Sequence, residues 1–347
     1  MKKLTIFVFL FSAVNLFAQN ILKGKITNKD NKPLEGVNVF FDGTTISTVS
    51  DENGNFKIKL EPNTNNILVI SSIGYQTEYL TSFDTSKDLN VLMTVAKNEL
   101  KEVVITKNEL FTRAQKLKLF REYFIGKTKN AKGTIIKNED EIRFKYDKDK
   151  FIFTAYSDKP LVIVNSLLGY KIDFELVDFE IAFKKLSIAP IDVIKNYYGG
   201  VSRFEEIENT PEILERREKT FEGSQLQFFR NLANEVWDKK KFLLFTEEHS
   251  LDPKKCFKVT KEDDFVKVDL LPQPKDQVKY DDLNVTGIVA SYFLMYNRDQ
   301  ESRITFLTDS FKIYKYGNNS DIESVLFSGK ISEKKVGDML PLNFNMK

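Results

Sequence analysis

The chain is poor in the side chains that most hydrolytic and redox chemistry depends on. It carries one histidine, His249, and one cysteine, Cys256, among 347 residues. A zinc hydrolase needs several imidazole and carboxylate ligands around an open metal position, so a lone histidine argues against it. A Ser-His-Asp triad would also have to use His249, and no G-x-S-x-G elbow is present. One thiol allows no intrachain disulfide, and Cys256 reads as a small hydrophobe in or beside a strand. Neither a P-loop nor a G-x-G-x-x-G string occurs. A single tryptophan stands against 30 phenylalanines, which favours Phe-filled strand cores over Trp-lined sugar platforms. The formal net charge of +2 gives no general reason to expect nucleic acid as a partner.

Long apolar runs are missing as well, with one exception at the start. Lys2 and Lys3 precede an apolar stretch from Leu4 to Phe17, followed by Ala18 and Gln19. That is the pattern of a secretory signal peptide over residues 1–18, too short to span a bilayer comfortably. Leu16 departs from the small residue preferred at the third position before the cut. No cysteine lies near the site to take a lipid. The expectation is an exported chain, periplasmic or outer-membrane-associated, with no membrane-spanning segment after cleavage.

What is present reads as two parts. Residues 19–106 alternate apolar and polar positions in short runs: Ile21 to Thr27, then Val37, Val39 and Phe41, then Phe56, Ile58 and Leu60. Asp51-Glu52-Asn53-Gly54-Asn55 is a hairpin turn, with Gly54 supplying a positive φ. Ile67 to Ile73 is almost continuously apolar, as expected of a strand covered on both faces. With Leu89 to Val95 and Val103 to Thr106 the count reaches about seven strands, enough for a Greek-key β-sandwich. Residues 107–347 read as an α+β domain. Leu110, Ala114, Leu117, Phe120 and Phe124 have helical spacing. Ser224 and Gln227 form a capping-box pattern ahead of Leu226, Phe229, Leu232, Ala233, Val236 and Trp237. The remaining runs, from Arg143 to Phe183 and from Phe257 to Ile331, are mostly strand-like. The fold class is therefore mostly β: a seven-stranded sandwich followed by an α+β domain.

The string Gly24, Ile26, Pro33-Leu34-Glu35-Gly36-Val37, Ser50-Asp51, Gly54-Asn55-Phe56 and Ile73-Gly74-Tyr75 resembles the carboxypeptidase-regulatory-like domain. In that family it is a transthyretin-like sandwich at the front of many exported proteins of Bacteroidetes-type bacteria. Glu99-Leu100-Lys101-Glu102-Val103-Val104 resembles the segment that joins this domain to the plug of TonB-dependent receptors. A receptor barrel of 22 strands at about 10 residues each does not fit in the stretch of chain beyond Thr106. The remainder resembles a stand-alone group that pairs the sandwich with an uncharacterised domain. The strings that carry this are Phe120 to Gly126 with Asn130-Ala131, Ser157 to Ile163, Gly169 to Ile172, Phe221 to Ser224 and Asp338 to Leu342. That resemblance implies no activity.

Candidate chemistry is thin. Ser332 and Lys335 match S-x-x-K, a spacing that a Lys-rich chain produces by chance. Asp263-Asp264 and Asp281-Asp282 are adjacent acids that point apart on a strand or loop. Asp51, Asn53 and Gly54 resemble the start of a calcium loop, but Pro62 occupies the position of its closing glutamate. Tyr197-Tyr198-Gly199-Gly200 reads either as a turn flanked by core tyrosines or as a contact loop for a sugar or peptide. No catalytic residue, cofactor or metal is expected. The functional expectation is a non-enzymatic envelope protein that binds or scaffolds a protein or glycan partner, with Tyr197 and Tyr198 as candidate contacts. The alternatives are a carboxylate-based hydrolase and a small outer-membrane barrel; the charged amphipathic helices oppose the barrel.

Overall fold

The computed structural model describes residues 21–60, 67–96, 110–238, 241–246, 249–272 and 287–346. The expected signal peptide, the Val103 to Thr106 run and Asp281-Asp282 lie outside them. Three hydrophobic clusters organise the chain.

The first is the sandwich. One sheet joins β1 (Ile21–Asn28), β4 (Asn55–Lys59) and β7 (Leu89–Met93). The other runs β3 (Ser47–Val49), β2 (Asn38–Phe41), β5 (Leu68–Ser71) and β6 (Glu78–Leu80). Strict alternation in β1 and β4 turns Leu22, Ile26, Phe56 and Ile58 into the core, as the period of a pleated strand requires. β6 carries too few apolar residues to show in the sequence pattern.

The second cluster lies under a six-stranded sheet: β8 (Thr134–Ile136), β9 (Arg143–Asp147), β10 (Ile152–Tyr156), β11 (Leu161–Asn165), β12 (Tyr170–Phe183) and β13 (Val193–Glu206). β12 pairs with β13 along its whole length and with β10 and β11 on its other edge. Helix α1 (Arg113–Phe124) covers the inner face. A reciprocal Thr112/Gln115 capping box starts it, so Leu110 lies outside the helix and is exposed. Phe120 stacks on Phe124 and meets Phe179 at a tilt, with centroids 4.8 Å apart in both cases. Helix α2 (Pro211–Phe221) begins with Thr210 as N-cap and Pro211 in its first turn. Its buried Arg217 donates to the carbonyls of Leu168 and Glu208, pairs with Glu206 and lies 3.9 Å from the Tyr170 ring centroid.

The third cluster packs helix α3 (Gln225–Ala233) on two sheets. β14 (Phe242–Phe245), β15 (Ser250–Leu251), β18 (Ala290–Tyr296), β19 (Gln300–Phe306) and β21 (Val325–Gly329) form one. β16 (Phe257–Lys261), β17 (Phe265–Leu270) and β20 (Ser310–Tyr314) form the other. Ser224 caps α3 by accepting from the Gln227 amide at 3.1 Å. The Gln227 side chain accepts from Gly223 instead of Ser224, so the expected capping box is only half formed. None of the sheets closes on itself among the described residues.

Truncating Phe120, fully buried against three aromatic rings, opens a cavity at the centre of the second cluster. Phe120→Ala is expected to cost about 3–5 kcal/mol, read as a lowered midpoint in urea unfolding.

Candidate functional site

The tyrosine pair does not form a contact loop. Tyr197 and Tyr198 sit inside β13, where successive side chains face opposite ways. Tyr198 points into the second core, edge-on to Phe124 at 5.4 Å, and burial raises its hydroxyl pKa. Tyr197 stands on the outer face opposite Glu180 and lies back over Gly199. Gly200 answers a cross-strand need, whereas Gly199 leaves room for the Tyr197 side chain of its own strand. β12 holds an extra residue, Val177, between Leu176 and Asp178, which pair with Gly200 and Gly199. A Cβ on Gly200 would lie 2.2 Å from the Glu175 carbonyl oxygen.

The remaining sequence candidates are occupied structurally. His249 is exposed and bonded to Thr246. Cys256 is buried, and desolvation pushes its thiol up to about 11, far from a nucleophile's range. Ser332 donates to the Gly329 carbonyl, while Lys335 reaches Asn196 at 3.0 Å, so the S-x-x-K pair is split between different partners. Asp51 accepts from the amides of Asn53 and Asn55 within its own turn. Asp263 and Asp264 are exposed. Among the described residues no three His, Cys, Asp or Glu side chains group to hold a metal ion.

Two buried polar sites tie the clusters together. Asp338 accepts from Asn130 at 2.9 Å and from Thr128 at 2.7 Å, and Asn130 also donates to Thr220. Burial raises the Asp338 pKa and lowers that of Lys334 to about 8; Lys334 donates to the Thr220 and Glu222 carbonyls. The second site is the seam between the sandwich and the central sheet. Phe40, Val69 and Tyr79 form a cross-strand row on the outer face of the β3-β2-β5-β6 sheet. Phe40 and Val69 cluster with Val201 of β13, and Tyr79 donates to Glu175 of β12. Gly43 donates to the Ser202 carbonyl at 2.7 Å, Phe204 donates to that of Thr44 at 3.1 Å, and Asp42 accepts from the Ser202 amide at 2.8 Å. Gly43 has φ +70, and a Cβ there would meet Leu342 at 2.6 Å.

An open concavity lies elsewhere among the described residues. Trp237, Leu232, Phe257, Val259 and Pro253 line a cleft of about 230 Å³, with Glu235, Asp252 and Lys254 at its rim. The end of α3 builds it. Val236 donates to the Asn231 carbonyl and Glu235 to that of Leu232, which together make a Schellman turn. That turn needs a left-handed residue, and Glu235 takes it at φ 53 where glycine is the usual occupant. The turn brings Trp237 back, nearly parallel to Phe257 with centroids 6.2 Å apart. Trp237 is therefore not a continuation of the helix face. Asp252 uses one carboxylate oxygen to accept from the Lys254 amide.

The sandwich can be placed among known proteins. Residues 22–105 match the family model of the CarboxypepD_reg-like domain. The TonB-dependent receptor SusC of Bacteroides thetaiotaomicron is 34% identical over 97 residues, which is 28% of this chain and 9% of the receptor. The TonB-dependent receptor P39 of Formosa agariphila is 35% identical over 95 residues, 27% of this chain and 9% of that protein. The chain thus spans about a tenth of the length of these relatives. A cohesin–X-dockerin complex structure from Acetivibrio cellulolyticus aligns at 24% identity over 22% of this chain and 57% of that one, with a TM-score of 0.19. The CarboxypepD_reg-like domain is thus a module this chain shares with TonB-dependent receptors. No helix among the described residues is long and apolar enough to cross a membrane.

Burial raises the Asp42 pKa to about 6, against the bonds from Ser202 and Gly43 that favour its charge. Glu175 and Tyr79 face the same seam. An acid raised in the folded state holds its proton more tightly there, so its contribution to stability falls as pH rises from about 4 through 6. Asp42→Asn keeps an acceptor for Ser202 and removes this proton linkage. The stability difference between pH 4.5 and 7, followed by thermal unfolding, is expected to shift in favour of pH 7 by comparison with the wild type. Asp338→Ala strands the buried Asn130 amide and the half-buried Thr128 hydroxyl and is expected to cost about 3 kcal/mol in urea unfolding.

Proposed function

We propose that the protein is a non-enzymatic binding module of the cell envelope, exported across the inner membrane, whose partner site is the Trp237 cleft. The cleft is the observation that carries the reading. Its volume of about 230 Å³ falls below the ~300–1,000 Å³ typical of enclosed small-molecule sites. It suits one inserted side chain or one sugar ring laid on an aromatic wall. Glu235 adds a second reason. A left-handed glutamate costs roughly 1 kcal/mol relative to glycine, and Glu235 lines the cleft while exposed to solvent, so its carboxylate is available to a hydroxyl or amide of a ligand.

The strongly shifted acids and lysines support a binding role over hydrolysis. Asp42, Lys334, Lys335 and Asp338 each join separate elements, and none of them lines the cleft. At the cleft only Glu235 and Asp252 contribute carboxylates, and Asp252 is engaged as a cap. The leader-like Lys2 to Ala18 segment and the module held in common with TonB-dependent receptors support a location in the periplasm or at the outer membrane.

Trp237 is the only tryptophan in the chain, so its emission reports on the cleft alone. Titration with peptides and oligosaccharides released from bacterial envelopes is expected to shift that emission for one class of ligand. Glu235→Gly is expected to raise the thermal midpoint by the equivalent of about 1 kcal/mol while weakening the ligand several-fold. Emission that no envelope fraction alters, together with turnover of a peptide or glycoside, would replace this reading with hydrolysis.

A further inference from the structure

The outer face of the β4-β1-β7 sheet concentrates positive charge in a chain that is close to neutral overall. The sequence holds 52 Lys and Arg against 50 Asp and Glu. Yet Lys23 and Lys25 of β1 and Lys57 and Lys59 of β4 all lie on this one face, exposed, while the alternate residues Leu22, Ile26, Phe56 and Ile58 fill the core. The register sets Lys23 directly opposite Lys57 and places Lys25 and Lys59 on the flanking rows. Like charges opposed across a strand pair destabilise it. Asp51 stands close enough to Lys57 to feel its charge, but its carboxylate is already bonded to the amides of Asn53 and Asn55.

The same face has apolar ends. Ile21, opposite Lys59, is 43% exposed, and Leu92, opposite Thr27, is 54% exposed. They mark the two ends of β1. The face also lies on the far side of the sandwich from the seam, where Phe40, Val69 and Tyr79 dock on the central sheet. Nothing in that docking obstructs approach to a flat surface.

We infer that this lysine face seats the protein on a bilayer surface bearing anionic headgroups. The residue types decide between partners. Lysine is a compact point charge without the guanidinium fork that matches a defined carboxylate or phosphate, and the face carries no arginine. A flat array of point charges with isoleucine and leucine at its ends fits a diffuse anionic plane into whose boundary apolar side chains sink. A structured peptide or a single glycan chain would call for a groove. The surface is separate from the Trp237 cleft and goes beyond the role proposed for it.

The test is co-sedimentation of the full-length chain with vesicles of 30% phosphatidylglycerol in phosphatidylcholine, compared with pure phosphatidylcholine. The quadruple variant K23Q/K25Q/K57Q/K59Q removes the face, and K148Q/K150Q/K258Q/K261Q removes equal charge from exposed positions elsewhere. All three proteins carry the same Leu4 to Phe17 run, so a difference among them belongs to the lysines. Wild type and the second variant are expected to bind the anionic vesicles and release in 0.5 M salt. The face variant is expected to lose on the order of 600-fold in partitioning, at ~5-fold per lysine. K23Q/K57Q, which relieves the opposed pair and is expected to be no less stable than wild type, should lose about 25-fold. Equal binding by the face variant, equal loss in both quadruple variants, or no anionic preference in the wild type would overturn the inference. So would retention on dextran sulfate without vesicle binding, which would assign the face to a soluble polyanion.

Discussion

The segment from Lys334 to Asn345 is bonded to all three hydrophobic clusters, and the arrangement of the chain depends on it. Gly337 donates to the Ile125 carbonyl at the end of α1 and accepts from Asn165, while Asp338 holds Asn130 and Thr128. Nearer the C-terminus, Leu342 donates to the Gly43 carbonyl and Asn343 exchanges bonds with Thr45, both in the sandwich. Arg230 of α3 grips the carbonyls of Leu342 and Phe344, and Asn345 reaches Glu218 of α2. Charged donors on buried carbonyls are among the stronger hydrogen bonds available. A short strap thus adds to the small apolar seam of Phe40, Val69 and Val201 in joining the sandwich to the rest.

This arrangement explains why the perturbed titratable groups are poor guides to function here. Asp42, Asp338, Lys334 and Lys335 are shifted because they were desolvated in joining elements. Burial with a specific partner marks an active site in many enzymes, but a structural junction satisfies the same criterion. The surfaces left open are of a different kind: an aromatic cleft on the third cluster and a flat basic sheet on the first.

Much of the sandwich was legible because a half-buried strand writes its face into the sequence with a period of two. The almost continuous apolar run from Ile67 to Ile73 announced cover on both faces; that holds for Leu68, Val69 and Ile70, all fully buried, but the strand ends at Ser71 and Ile73 is 99% exposed. What covers the outer face, Val201, lies in a remote strand and leaves no local mark. The glycine pair after Tyr198 was misleading for a related reason. Read alone it is turn chemistry, whereas the pair lies within a strand opposite a register shift, with Gly200 closely approached by the Glu175 carbonyl and Gly199 by the Tyr197 ring. Trp237 was hidden by a substitution of type: a Schellman turn announces itself through glycine, and here the left-handed position is Glu235. Helix α2 was missed because its apolar positions are few and its central buried residue is Arg217, whose partners are backbone carbonyls far along the chain.

The most direct test of this account is calorimetric unfolding of the chain ended after Pro341. That cut removes the bonds to Gly43, Thr45 and Glu218 and two of the acceptors of Arg230, but leaves Val336 and Leu340 in the second core. The intact chain is expected to melt in one transition and the shortened chain in more than one, with the sandwich melting apart from the rest. A single transition at an unchanged midpoint would contradict the claim that the strap unites the three clusters.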